Sequence, residues 1–146
     1  MNSSAPSSTS LSNDADPSLG APSGIRTCLI VDDDAGIRRL LAYNLGKLGV
    51  TTAECTMVAA VEPTLAQNEP DLIFLDLGLA DGDEHAVLAL LARRGFAGRV
   101  QIVSGRSVEV LDEICDWGRS KGLAMLPPLP KPFRSSAIRS LVEACS

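Results

Sequence analysis

Short apolar runs alternate with longer amphipathic stretches from about residue 26 to the C-terminus. The amphipathic stretches carry apolar residues at helical spacing; in the first of them these are Ile37, Leu40, Leu41, Leu45 and Leu48. The apolar runs are short enough to be buried strands, and they read TCLIV, VTTAE, DLIFL, RVQIV and LAMLPPL. Strands that alternate with helices predict βαβ units built around a parallel sheet.

The ends of these elements carry recognisable stop signals. The five predicted helices cover about residues 35–48, 57–68, 83–94, 107–121 and 134–144. Gly49, Gly95 and Gly122 follow three of them, at the position where a left-handed residue commonly ends a helix. Pro63 should kink or shorten the second helix. The fifth strand should lie at a sheet edge or be very short, because two prolines in LAMLPPL cannot donate to a sheet ladder.

The first 24 residues differ in composition from the rest of the chain. They contain eight Ser, three Pro and two Gly with hardly any bulky apolar side chain. Such a segment buries too little surface to offset the entropy lost on ordering. We therefore predict a disordered tail at residues 1–24 and one domain at residues 25–146.

Charge and cysteine usage narrow the class of protein. The net charge is −5 and Lys and Arg form no cluster, so we do not expect a nucleic-acid-binding surface. We expect no membrane span either, since no apolar run approaches the roughly 18 residues that one needs. The four cysteines are widely scattered, which favours reduced thiols at packing positions in a cytoplasmic protein.

Polar side chains stand where the predicted strands end. In chain order they are Asp32, Asp33, Asp34, Asp76, Ser104 and Lys131. Ligands of an open parallel sheet bind just beyond the carboxyl ends of its strands. We therefore expect these side chains to lie together at the carboxyl edge of the sheet. Asp34 directly precedes a helix and is most simply its N-cap. The other three aspartates form an all-oxygen set that suits Mg²⁺.

Four segments occur in a characteristic order: LIVDDD at 29–34, LDLGLADGDE at 75–84, IVSGRS at 102–107 and LPKPF at 129–133. With them the chain resembles the receiver domain of bacterial two-component response regulators over about residues 26–144. The resemblance implies a flavodoxin-like (CheY-like) α/β fold, a doubly wound five-stranded parallel sheet in the order 2-1-3-4-5 with five helices. Two segments, SGRS and GLAMLPPLPKPF, are most similar to receivers fused to cyclic-di-GMP phosphodiesterase domains. We expect a stand-alone receiver, because only 14 residues follow Pro132.

The resemblance implies a role for five of the six side chains at the strand ends, all except Asp34. It implies that Asp76 is the phosphoacceptor and that Asp32, Asp33 and Asp76 bind Mg²⁺ together with the backbone carbonyl of Gly78. Lys131 and Ser104 would stabilise the phosphoryl group, with Ser104 as the switch residue.

The family implies further expectations at four positions. The Lys131–Pro132 bond is a candidate cis peptide, which would aim the lysine. Gly78 and Arg106 occupy positions that tune the lifetime of the phosphoryl group. The switch aromatic of the family falls near Pro128, where no aromatic residue stands.

The leading hypothesis is a phosphorelay signalling module rather than an enzyme, with chemistry limited to its own phosphorylation and dephosphorylation. It would accept a phosphoryl group from a histidine kinase or a histidine phosphotransfer protein and act by contact with an unknown downstream protein. The first alternative is a phosphate shuttle or sink in a relay, which the missing aromatic favours. A less favoured alternative is a haloacid-dehalogenase-like phosphatase that uses Asp32, Asp34, Ser104 and Lys131. His85, the single histidine, is interpreted as a surface residue.

Overall fold

A computed structural model of the chain describes residues 24–81 and 84–145, in which strands and helices alternate as predicted. The strands are β1 Thr27–Val31, β2 Thr51–Cys55, β3 Leu72–Asp76, β4 Arg99–Ser104, β5 Ala124–Met125 and β6 Leu129–Pro130. The helices are α1 Ala35–Lys47, α2 Val61–Gln67, α3 Glu84–Arg93, α4 Val108–Ser120 and α5 Ser135–Ala144. Apart from its last residue, the tail predicted at 1–24 lies outside the described residues.

All strand pairs are parallel, and the sheet order is β2-β1-β3-β4-β5, as predicted. The described part of the chain has six strands rather than five, because the predicted fifth strand forms two pieces that both pair with β4. Pro127 and Pro128 lie between the pieces and have no N–H to donate. The Gln101 side chain fills part of this gap, since its Nε2 donates to the Pro127 carbonyl at 2.8 Å.

Successive side chains of a strand point to opposite faces of the sheet. Helices cover both faces, so the side chains on both are buried. On one face Leu29 and Val31 of β1 belong to a core cluster with α2, α3 and α4. On the other face Cys28 and Ile30 belong to a second cluster, with α1 and α5. All four cysteines are buried free thiols, as the sequence predicted.

The second helix departs most from its predicted span of 57–68. Residues Val58–Ala60 form one 3-10 turn, and α2 begins only at Val61. Pro63 therefore lies in the first turn of α2, where proline is tolerated because that N–H has no partner within the helix. The remaining helices keep their predicted positions to within a residue or so. Gly49 follows the C-cap of α1, as predicted, and has a φ of +82°.

Candidate functional site

Two buried carboxylates meet at the carboxyl edge of the sheet because neighbouring strands end at the same level. Val31 of β1 pairs with Leu75 of β3, so the residue after each of them emerges at the same edge. These residues are Asp32, which is 2% exposed, and Asp76, which is 9% exposed. The next residue of the first loop, Asp33, is exposed.

Lys131 joins the two buried carboxylates. Its Nζ donates to Oδ1 of Asp76 at 3.0 Å and to Oδ2 of Asp32 at 3.2 Å. The peptide bond between Lys131 and Pro132 is cis, as the resemblance to receivers implied. Just before this bond, the Lys131 backbone N–H donates to the carbonyl of Ser104 at 2.7 Å. The lysine is thus held at both its backbone and its ammonium group.

The electrostatics of this trio follow from burial and proximity. Burial raises the pKa of the Asp76 carboxyl, the hydrogen bond from Lys131 opposes that shift, and the nearby charge of Asp32 adds to it. Burial alone would lower the pKa of Lys131, but its hydrogen bonds to Asp76 and Asp32 outweigh burial and raise it. The ammonium group therefore stays charged at neutral pH, and Asp76 is a carboxylate whose charge is costly.

The acidic cluster fits a hard divalent cation. One carboxylate oxygen from each of Asp32, Asp33 and Asp76 lies within 4.8 Å of the others. Carboxylate oxygens are the ligands that Mg²⁺ prefers, and Mg²⁺ commonly uses one or two of them together with water. Three carboxylates and the ammonium group of Lys131 leave a formal charge of −2, which a divalent cation would balance.

Asp34 has a different task from its two neighbours. Its Oδ1 accepts hydrogen bonds from the backbone N–H groups of Gly36 at 2.8 Å and Ile37 at 3.2 Å, so it is the N-cap of α1 as predicted. The haloacid-dehalogenase-like hypothesis needs this carboxylate as a reactive group. A carboxylate that caps a helix is poorly placed for that role, and the hypothesis is not favoured.

Ser104 and Gly78 lie at the same edge as the aspartates. Ser104 is 1% exposed at the end of β4, and its Oγ accepts a hydrogen bond from the Arg106 N–H at 3.0 Å. Gly78 is exposed in the loop after β3 with φ of +120°, a conformation that favours glycine. Arg106 is exposed in the loop after β4.

Two residues of the site were missed by the sequence analysis. Arg38 of α1 donates from Nη1 to the backbone carbonyl of Asp32 at 2.9 Å and from Nε to Glu54 of β2 at 3.0 Å. Arg38 lies one helical turn after the Asp34 cap, which is the only signal the sequence offers for it. Glu54 is brought near by the β1–β2 pairing, which no local pattern specifies.

His85 is exposed at the start of α3, as predicted for a surface residue, and its ring meets that of Trp117 on α4 edge-on at 4.8 Å. Within the described ranges, no helix has both the length and the apolar character required to cross a bilayer.

Comparison with known protein families identifies the domain that carries these residues. The model of the response regulator receiver domain matches residues 28–143, which include every strand except the first residue of β1. The chain belongs to this family. It is a receiver domain of the two-component response regulators, a family of signalling domains.

One characterised relative and several solved structures are similar to this receiver. The KDP operon transcriptional regulatory protein KdpE of Escherichia coli (strain K12) is 40% identical over 81 residues, which are 56% of this chain and 36% of that protein. The match thus spans little more than a third of that regulator, whose transcriptional role is a property of that protein.

Three solved structures of lower identity establish the fold. Chemotaxis response regulator CheY4 of Vibrio cholerae has a TM-score of 0.72 at 13% identity, covering 84% of this chain and 99% of that one. A two-component response regulator of Clostridium difficile has a TM-score of 0.71 at 21% identity, with 82% and 94% covered. The BeF3-activated receiver domain of Klebsiella pneumoniae RstA has a TM-score of 0.68 at 18% identity, with 82% and 97% covered.

Proposed function

We propose that this receiver accepts a phosphoryl group on Asp76 from a phosphohistidine of a sensor kinase or a histidine phosphotransfer protein. The observation that carries the proposal is the bridge from Lys131 to both buried carboxylates, inside a cluster of three aspartates. A purely structural salt bridge to Lys131 would need only one carboxylate. Two additional carboxylates would add only repulsion.

In the proposed transfer, a carboxylate oxygen of Asp76 forms a bond to phosphorus while the bond from phosphorus to the donor histidine nitrogen breaks. The electron pair of that bond goes to the histidine nitrogen. Such a transfer depends on a positioned nucleophile and on balancing the charge of the phosphoryl oxygens. Among residues 24–81 and 84–145, Lys131 is the side chain that donates to Asp76, and it does so at Oδ1. The other oxygen, Oδ2, is the nucleophile that this arrangement favours.

Asp32, Asp33 and Asp76, with the backbone carbonyl of Gly78, are the proposed Mg²⁺ ligands. The ion, when bound, offsets the repulsion between the acidic groups and the incoming phosphoryl oxygens. Arg38 fixes the backbone of Asp32 from α1, and Lys131 fixes its carboxylate from the other side. Asp32 is therefore held in place through both its backbone and its carboxylate.

Ser104 and Lys131 are the proposed phosphoryl-sensing groups. Lys131 has three N–H bonds and can exchange an aspartate partner for a phosphoryl oxygen. The hydroxyl of Ser104 accepts from Arg106 but keeps its own proton for donation to an anion. Phosphorylation adds about −1.5 to −2 charges at this edge. We infer that these two groups move toward the phosphoryl oxygens, and that Gly78 and Arg106 set the lifetime of the modified state.

The downstream partner in this proposal is a protein that recognises the modified receiver. We place the protein in the cytoplasm, since four buried free thiols are typical of a reducing compartment. The likeness to receivers of cyclic-di-GMP phosphodiesterases stays a prediction from the sequence. In the part of the chain that the structure describes, no contact favours a phosphate shuttle over a switch.

The test is the intact mass of the protein after incubation with a small-molecule phosphodonor, with and without Mg²⁺. We expect one added phosphoryl group that requires Mg²⁺ and is absent from Asp76→Asn. Asp112→Asn is the matched control, because it makes the same chemical change on the exposed side of α4. Equal labelling of Asp76→Asn and the control would rule out Asp76 as the acceptor.

A further inference from the structure

The carboxylate of Asp81 ties together two loops that are distant in sequence. Asp81 follows Gly78 in the loop after β3, and its Oδ1 accepts from the backbone N–H of Val58 at 2.8 Å. Its Oδ2 accepts from the backbone N–H of Ala59 at 3.1 Å. These two hydrogen bonds lower the pKa of the Asp81 carboxyl, so it is ionised at neutral pH.

The described part of the loop that carries Gly78, residues 77–81, is anchored at both ends. Its first residue, Leu77, is buried and donates its N–H to the Val103 carbonyl at 3.2 Å. Leu79 is also buried. The Asp81 carboxylate is the polar anchor at the far end, and losing it would free that end of the loop.

The segment that Asp81 holds is itself bonded to the acidic loop after β1. The carbonyl of Cys55, the last residue of β2, accepts from the N–H of Asp32 at 3.1 Å. Residues 55–59 therefore contact Asp32 at one end and Asp81 at the other. This short segment spans the gap between the two loops that supply the proposed metal ligands.

We propose that Asp81 is a positioning residue, which holds the loop after β3 at a fixed distance from Asp32 and so places Gly78 for Mg²⁺ binding. This inference rests on the proposed function, since it assumes the magnesium site described above. It assigns Asp81 no contact with the ion. Its action passes through the backbone of residues 55–59.

A carboxylate that caps two backbone N–H groups can also be merely structural, and this chain contains such a case at the opposite end of the sheet. Oδ2 of Asp71, just before β3, accepts from the N–H groups of Arg26 at 2.8 Å and Thr27 at 3.1 Å. The chemistry of the two contacts is the same, but Asp71 lies far from the carboxyl edge. Asp71→Ala is therefore a matched control for Asp81→Ala.

The experiment measures the Mg²⁺ dissociation constant by calorimetry and amide hydrogen exchange by NMR in the full chain. Asp81→Ala should speed exchange at Val58 and Ala59 and weaken Mg²⁺ binding by about tenfold, as is usual when a group behind the ligands is removed. Asp81→Asn, which keeps one accepting oxygen, should fall between the wild type and Asp81→Ala. Asp71→Ala should leave Mg²⁺ affinity at the wild-type value.

The outcomes separate this inference from the proposed function. Faster exchange at Val58 and Ala59 with unchanged Mg²⁺ affinity would make Asp81 a structural cap and overturn the inference alone. Equal weakening by Asp71→Ala would also overturn it, because the effect would then reflect general destabilisation. A wild-type protein that binds no Mg²⁺ and accepts no phosphoryl group would overturn the proposed function together with the inference.

Discussion

The ammonium group of Lys131 lies 3.0 Å from the Oδ1 atom of Asp76, although 55 residues separate them in the chain. The same ammonium group is 3.2 Å from Asp32. One cation thus bridges two buried carboxylates and offsets the repulsion between them. The folded protein keeps this strained set of charges at the edge of its sheet, which is typical of a functional site.

Asp76→Asn should make the metal-free protein more stable at neutral pH. Burial raises the pKa of Asp76, so its charged form is disfavoured in the folded state. Removing the charge should add about 1 kcal/mol to the free energy of unfolding, or roughly 3–5 °C in Tm. The gain should vanish as the pH falls below the unfolded-state pKa of about 3.9, where the wild-type group is neutral in both states. Thermal unfolding at pH 7 and pH 3.5 measures this, and a stabilisation independent of pH would contradict the charge argument.

Lys131→Met should destabilise the protein because it leaves Asp32 and Asp76 without their shared cation. We expect a loss of about 1–3 kcal/mol in the free energy of unfolding at pH 7. The loss should shrink as the pH falls through the raised pKa of Asp76, since protonation relieves the repulsion. Urea unfolding over a pH series checks this, with Lys121→Met on the exposed surface as the control. A Lys131→Met protein as stable as the control would refute the bridging role.

Asp34→Ala should weaken α1 without weakening the metal site. The N-cap bonds to Gly36 and Ile37 would be lost, at a cost of about 1 kcal/mol. Asp34→Ser should restore most of that loss, because serine is also a good N-cap. Mg²⁺ affinity should be near wild type in both variants, whereas Asp33→Ala should reduce it strongly. Calorimetry on the three variants measures their Mg²⁺ affinity. An equal loss of affinity in Asp34→Ala and Asp33→Ala would contradict the assignment of Asp34 as a helix cap with no part in Mg²⁺ binding.

Gln101→Leu should loosen the chain between β5 and β6. The buried amide of Gln101 donates to the carbonyls of Pro127 at 2.8 Å and Ile102 at 3.1 Å, and leucine cannot replace either bond. We expect a cost of about 1–2 kcal/mol and faster amide exchange at Leu129 and Lys131. Gln67→Leu, at an exposed position on α2, is the control. If amide exchange at Leu129 and Lys131 is unaffected, the Gln101 side chain does not stabilise the chain between β5 and β6.

The sequence predicted the fold well because its local signals agree with one another. Apolar runs, glycine stops and the Asp34 cap all indicated the same β/α alternation around a parallel sheet, which is confirmed. The strand order 2-1-3-4-5, which the resemblance to receivers implied, is also confirmed. The split of the fifth strand was harder to predict, since Pro127 and Pro128 limit pairing without saying where it resumes. Pairing resumes at β6, where Leu129 pairs with Val103 of β4. The two residues are far apart in the sequence, so no local pattern specifies this contact.

The site was predictable only in part, for a similar reason. Residues at strand ends are visible in the sequence, and the structure brings Asp32, Asp33 and Asp76 together as expected. The supporting contacts of Arg38 and Asp81 were missed. Arg38 reaches Glu54 only because β1 and β2 pair, and Asp81 reaches Val58 and Ala59 only because two loops that are distant in sequence become neighbours after folding.

The most direct test of the central claim is to locate the phosphoryl group on the chain. Borohydride reduces an acyl phosphate of aspartate to homoserine, so treatment after phosphodonor and Mg²⁺ marks the modified residue for peptide mass mapping. We predict homoserine at position 76 and none at Asp32, Asp33 or Asp34. Reduction at another aspartate, or none in protein that carries the added phosphoryl mass, would contradict the assignment of Asp76 as the phosphoacceptor.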